Sequence, residues 1–286
     1  MFKKALKRSA AMALALLLVL SMTACGKDGK SGGGLFKSKE VRFTVDVSQS
    51  EIDAVISERN TMDNLCESAP QQSQNGADCC YEMVKLIATG LEVSATDISK
   101  VQSAKSSGSI SATSAAQEQV NSTYRTFELL VLIAEKLDKD SDYTSDISTI
   151  ESTFSRQDTA ASSAPQQLVN GLYRTVEILE VIAKIVDKDD EYTSDINSIT
   201  SRMASQDSAA NSAPQQSVNG AYRSVEMILL IVEILDYDSE FTSDISTIDS
   251  RLSAQDATAS SAPQQNVNGV YRMVEAFGVM AEVLNS

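Results

Sequence analysis

Glu82, Glu128, Glu177, Glu226 and Glu275 recur at one place in a repeated text, and Arg125, Arg174, Arg223 and Arg272 stand three residues before four of them. Three residues apart on a helix, a guanidinium and a carboxylate are neighbours and pair. In the third copy Gln166, Asn170, Tyr173 and Glu177 follow at steps of four, three and four, one stripe of a helix with Arg174 at its edge. Two readings stay open. The stripe is either a polar groove that binds an extended partner, with Gln166, Asn170, Tyr173, Arg174 and Glu177 as its contacts, or a ladder that fixes the angle between units.

Other polar clusters point to weaker chemistry. Asp138-x-Asp140-x-Asp142, Asp187-x-Asp189-x-Glu191 and Asp236-x-Asp238-x-Glu240 echo the start of a calcium loop. Tyr143, Tyr192 and Phe241 stand where such a loop turns on Gly, so a solvated acidic connector is the default and no metal site is expected. The acid that follows in each series, Asp146, Asp195 or Asp244, reads as a helix N-cap. Cys66, Cys79 and Cys80 fall together in the first copy. They are disulfide candidates outside the cytoplasm, with the pairing open. The chain has no His. That removes Ser-His-Asp and Cys-His catalysis and the usual zinc enzymes. No phosphate-cradling Gly loop occurs, and every acid considered recurs unit by unit rather than in one cleft. The chain reads as non-catalytic and without a cofactor.

These residues need elements to hold them, and the elements repeat. Copies begin at Ile52, Ile98, Ile147, Ile196 and Ile245, spaced first by 46 and then by 49 residues. Pro165, Pro214 and Pro263 keep the same 49-residue period, as do Tyr124, Tyr173, Tyr222 and Tyr271. A period of this size signals stacked helical units. In the third copy a first helix is predicted over 147–162 on the spacing of Ile147, Ile150 and Phe154. Ser163-Ala164-Pro165 breaks it, because the residue before Pro avoids the α region. A second helix is predicted over 166–186. Its late stretch VEILEVIAKIV is apolar nearly all round, which calls for burial between two neighbours. The fold expected is all-α: five tandem antiparallel helical hairpins in a solenoid-like array, with a closed helical bundle as the alternative. The first copy has Asp78 where the others have Tyr, and its difference reads as that of a capping unit.

The N-terminus reads as an address. Lys3, Lys4, Lys7 and Arg8 precede the apolar run 10–20, and Met22-Thr23-Ala24-Cys25-Gly26 follows. This order of charge, apolar run, small residues and Cys resembles the lipobox signal of bacterial lipoproteins, over residues 1–25 only. The resemblance implies diacylglycerol on Cys25, cleavage after Ala24 and a place on the extracytoplasmic side of a cell membrane. Residues 1–24 are then a signal peptide, 25–50 a Gly/Ser/Lys-rich tether and 51–286 the repeat domain. Four of the chain's 24 basic residues lie in residues 1–24, which carry no acid, leaving 20 basic against 39 acidic residues, a net charge of −19. Such a body repels phosphate backbones, so nucleic acid is not an expected partner. The expected function is a lipid-anchored binding or scaffold lipoprotein facing an envelope protein, peptide or glycan. The alternatives are a structural spacer and a weak divalent-cation-binding surface protein.

Overall fold

A computed structural model describes residues 45–286; Cys25, the signal segment and most of the tether lie outside the described residues. The described residues form ten helices and no strand, and none is long and apolar enough to cross a membrane. We number the helices α1 (Gln49–Asp63), α2 (Ala69–Gly90), α3 (Ala95–Ser111), α4 (Ala115–Leu137), α5 (Thr144–Ala160), α6 (Ala164–Val186), α7 (Thr193–Ala209), α8 (Ala213–Leu235), α9 (Thr242–Thr258) and α10 (Ala262–Asn285). They pair as five antiparallel hairpins, α1–α2 through α9–α10, one per sequence repeat.

The hairpins are built as their residues dictate, with shifted edges. In unit 3 the long helix starts two residues earlier than the Pro rule predicts, at Ala164, so that Pro165 sits in its first turn, where its missing N–H costs nothing. Each of the last three short helices starts before its expected Asp cap. In unit 3 the helix begins at Thr144, Tyr143 takes the cap position, and Asp146 lies inside the first turn, where its charge favours the helix dipole. The reason lies in the preceding loop. Asp187 accepts from the N–H groups of Glu191 (3.0 Å) and Tyr192 (2.9 Å), and Asp236 does the same for Glu240 (2.9 Å) and Phe241 (3.0 Å). The first acid of each loop thus fixes the entry of the next helix.

The long helices form the inner layer and the short helices the outer one. Each inner helix packs on the inner helices of the units before and after it, and α10, the last, packs on α2, the first. The hairpin array therefore closes on itself, combining the unit-to-unit stacking of a solenoid with the closure of a bundle. Five parallel inner helices surround one axis. Leu168, Leu172, Thr175, Leu179, Ile182 and Val186 face that axis from α6 at alternating steps of four and three. Toward the C-terminal end the axis is filled with fully buried side chains, with Val84, Leu130, Leu179, Ile228 and Phe277 in one layer. Close packing of this kind leaves an apolar plug rather than a channel.

Closure changes the meaning of the first unit. Asp78 does not cap an end; it faces unit 2, where the Ser122 hydroxyl donates to it and Lys105 Nζ lies 3.0 Å away. The seam between the last and first units is instead held by Arg59, 7% exposed, which pairs with Glu275 at 3.2 Å and lies over the Tyr271 ring. Before α1 the chain crosses the C-terminal ends of the inner helices. Val45 N–H donates to the Leu284 carbonyl (2.9 Å), and Val45 and Val47 are buried against Gly90, where a Cβ would meet them at 2.9 and 2.7 Å.

Candidate functional site

The predicted stripe divides in two. Gln166, Asn170 and Tyr173 line an open groove between units 3 and 4, completed by Asp207 and Gln216 of unit 4 and by Gln157 on α5. Its volume is about 390 Å³. Arg174 and Glu177 turn away from it and pair with each other at 2.6 Å. The same intrahelical pair recurs as Arg125–Glu128 and Arg272–Glu275, both at 2.8 Å, and as Arg223–Glu226. Arg202 of the outer helix α7 reaches Glu226 at 2.9 Å, which places this row between the two layers. Burial holds the carboxyl groups of Glu128, Glu177 and Glu226 above the usual carboxylate range, against the pull of the neighbouring guanidinium.

Within the groove Gln166, Tyr173 and Gln216 each have a local tie. Gln166 Oε1 accepts from the Ser162 N–H at 3.2 Å, reaching back across the turn between the helices. The Tyr173 hydroxyl donates to Asp207 at 2.7 Å, and Gln216 Nε2 donates to the same carboxylate oxygen. Gln157 Oε1 is buried on the groove wall without a partner. The Tyr–Asp bond is periodic: Tyr124 donates to Asp158 (2.6 Å), Tyr222 to Asp256 (3.1 Å) and Tyr271 to Asp63. Burial first, and the facing carboxylate with it, push all four phenols well above the ordinary tyrosine range. The row is a set of neutral donors held to acceptors, with no activated nucleophile among them.

Two columns in this row escape sequence inspection. Asp63, Asp158, Asp207 and Asp256 are the acceptors, and Gly76, Gly171, Gly220 and Gly269 sit under the Tyr ring of the preceding unit. A Cβ on Gly220 would lie 2.8 Å from Leu172 Cβ and 3.1 Å from the Tyr173 ring. The signal was present, since both columns keep the 49-residue period within units 3 to 5. Unit 2 departs in both, with Ser109 for Asp and Ser122 for Gly, opposite the unit that has Asp78 for Tyr.

The remaining candidates do not converge. All three described cysteines are free thiols. Cys66 sits half-buried at the α1–α2 turn and donates to Met62 O, whereas Cys80 Sγ is buried against Val270 O across the closing seam. Cys79 faces Asn75, and burial pushes its thiol up to about 12. Among the described residues no three His, Cys, Asp or Glu side chains come together to hold a metal ion. The leading acids of the loops bind backbone N–H groups instead.

A second concavity lies on the axis, where all five inner helices begin. It is a funnel of about 170 Å³ with a rim that includes Pro70, Pro165, Pro214 and Pro263, and with Ser73, Gln119, Leu168, Ser217 and Asn266 one turn below. Under that level the axis narrows to a void of about 10 Å³ bordered by Leu172 and Val270, so the funnel is blind. Comparison with family models, curated proteins and solved structures yields no match. The class defined by the molecule itself is a closed ring of five helical hairpins with one axial and at least one lateral concavity.

Proposed function

We propose that the protein is a non-catalytic binding or scaffold lipoprotein, held by lipid on Cys25 at the extracytoplasmic side of a cell membrane and engaging an envelope protein, peptide or glycan. The observation that carries this reading is the lateral groove. It gathers amides, a phenol and a carboxylate on a fixed wall and includes the unpartnered Gln157 Oε1. Such a wall suits hydrogen-bonded recognition of a polar chain rather than bond cleavage. The described chain enters the ring at the C-terminal ends of the inner helices, and the groove and the funnel lie toward their N-terminal ends.

Closure weighs against the spacer alternative. An open array lengthens with each added unit, whereas the axial extent of a ring is set by helix length, roughly 35 Å for 23 residues. The cation alternative is weakened by the loop geometry, in which Asp187 and Asp236 are already engaged. Two experiments test the reading. Incorporation of labelled palmitate in a bacterial host is expected for the natural chain and lost in Cys25→Ala; incorporation by both removes the anchor from the account. Retention of an envelope component by the full chain at two salt concentrations is expected to fall in Gln157→Ala/Asn170→Ala. Equal retention by a folded variant removes the groove from it.

A further inference from the structure

The axial funnel is built unlike the rest of the axis. Below it the axis combines apolar side chains with the hydroxyls of Thr126 and Thr175, each satisfied by a carbonyl of its own helix, whereas this level presents Ser73, Gln119, Ser217 and Asn266, with only Leu168 apolar. Gln119 is 4% exposed and Asn266 6% exposed. Gln119 Nε2 has no hydrogen-bond partner, and neither has Asn266 Oδ1, although Asn266 Nδ2 donates to Ser73 Oγ at 3.1 Å. Buried polar atoms are ordinarily paired, and orphaned ones at the floor of an open cavity mark a place where something pairs with them. One donor and one acceptor remain unmet there. The walls above are Pro and Ala, and the lining contains no charged side chain.

We infer that the funnel is a binding site for a small neutral molecule bearing a carboxamide on a short aliphatic chain. A carboxamide supplies both missing partners, its carbonyl to Gln119 Nε2 and its N–H to Asn266 Oδ1. The aliphatic part fits against Leu168 and the proline rim. A carboxylate, although drawn by the positive ends of five parallel helices, has no proton to give the orphaned Asn266 Oδ1, and an ammonium would face those positive ends. This site is separate from the lateral groove and stands whether or not the groove binds.

Butyramide, butyrate and butylammonium titrated into the purified full chain test it, read by ligand-observed NMR. The native chain is expected to bind butyramide saturably and at least tenfold more tightly than either charged analogue. Gln119→Leu/Asn266→Leu is expected to keep the fold, with an unchanged or raised melting temperature, and to lose at least tenfold in butyramide affinity. Ala116→Trp, which plugs the rim without touching the floor, is expected to abolish binding and decides the matter should the double variant misfold. No saturable butyramide binding, equal or tighter binding of butyrate or butylammonium, or full binding by the plugged variant overturns the inference.

Discussion

The Tyr271 hydroxyl donates to the carboxylate of Asp63, 208 residues earlier in the chain, and so repeats the bond that Tyr173 makes to Asp207, 34 residues later. One interaction thus serves both as the link between consecutive units and as the clasp between the two ends. At the remaining junction the link is rewritten with charge. Asp78 replaces Tyr, and Lys105 lies between Asp78 (3.0 Å) and Glu118 (2.8 Å).

The tyrosine clasps give the ring an alkaline limit. Their folded-state ionisation is shifted upward by burial and by the facing aspartates. A raised tyrosine contributes stability that is complete below the unfolded value near 10 and declines as pH rises above it. Urea midpoints should therefore be insensitive to these groups from pH 7 to 9 and fall steeply above pH 10. Tyr173→Phe and Tyr271→Phe should each cost about 1–2 kcal/mol at neutral pH, since a hydrogen bond to a charged acceptor is lost. Their similarity is itself a check, because only closure makes the second bond equivalent to the first.

Gly220→Ala should destabilise although Ala is the better helix former. The added Cβ meets Leu172 Cβ at 2.8 Å, an atom fixed to a neighbouring backbone, so the two inner helices must part. Overpacking of this kind costs about 1–3 kcal/mol, against a propensity gain of about 1 kcal/mol. Thermal unfolding of Gly220→Ala beside an outer-helix control such as Ser208→Ala measures the difference.

The loops offer the opposite effect. Ser141, Asp190 and Ser239 hold left-handed backbone at φ 61, 56 and 59°, one per connector, where glycine is the favoured residue. Ser141→Gly and Ser239→Gly should each raise stability by about 0.5–1 kcal/mol, read as an increase in the urea midpoint at constant slope.

The body thiols should react in order. Cys66 lies half-buried in a turn, whereas Cys79 and Cys80 are buried in α2 and burial raises both thiols. Maleimide at neutral pH, followed by peptide mapping, should label Cys66 in the native protein and Cys79 and Cys80 only after denaturation.

Much of the fold was legible in residues. The 49-residue spacing of Pro165, Pro214 and Pro263 located the hairpins, and the apolar run after Val176 located a helix buried on both sides. In unit 3 the long helix starts two residues early because Pro165 sits inside its first turn, and the short helix three residues early because the loop acid, Asp138, rather than an Asp146 cap fixes the entry. Closure stood in the sequence only as the alternative of a closed bundle, since an apolar inner face is the same in an open array and a ring. Yet the chain holds its signature. Asp63 has no tyrosine before it and Tyr271 no aspartate after it, so two half-bonds are left over unless the ends meet. In the groove, the division of Gln166, Asn170 and Tyr173 from Arg174 and Glu177 was hidden because all five lie on or beside one stripe of a single helix. The funnel was hidden because its polar floor takes one residue from each of four units.

The closing of the ring is tested most directly by a distance across its seam. Gln49 Nε2 lies 2.7 Å from Glu282 Oε1, joining the first helix to the last. Spin labels on Gln49→Cys and Glu282→Cys, in a background with the other cysteines replaced by Ser or Ala, report that separation in solution. The ring predicts one narrow distribution below about 20 Å. An open array of five units with inner helices about 10 Å apart places the labels roughly 40 Å apart, and a broad distribution centred there contradicts the account.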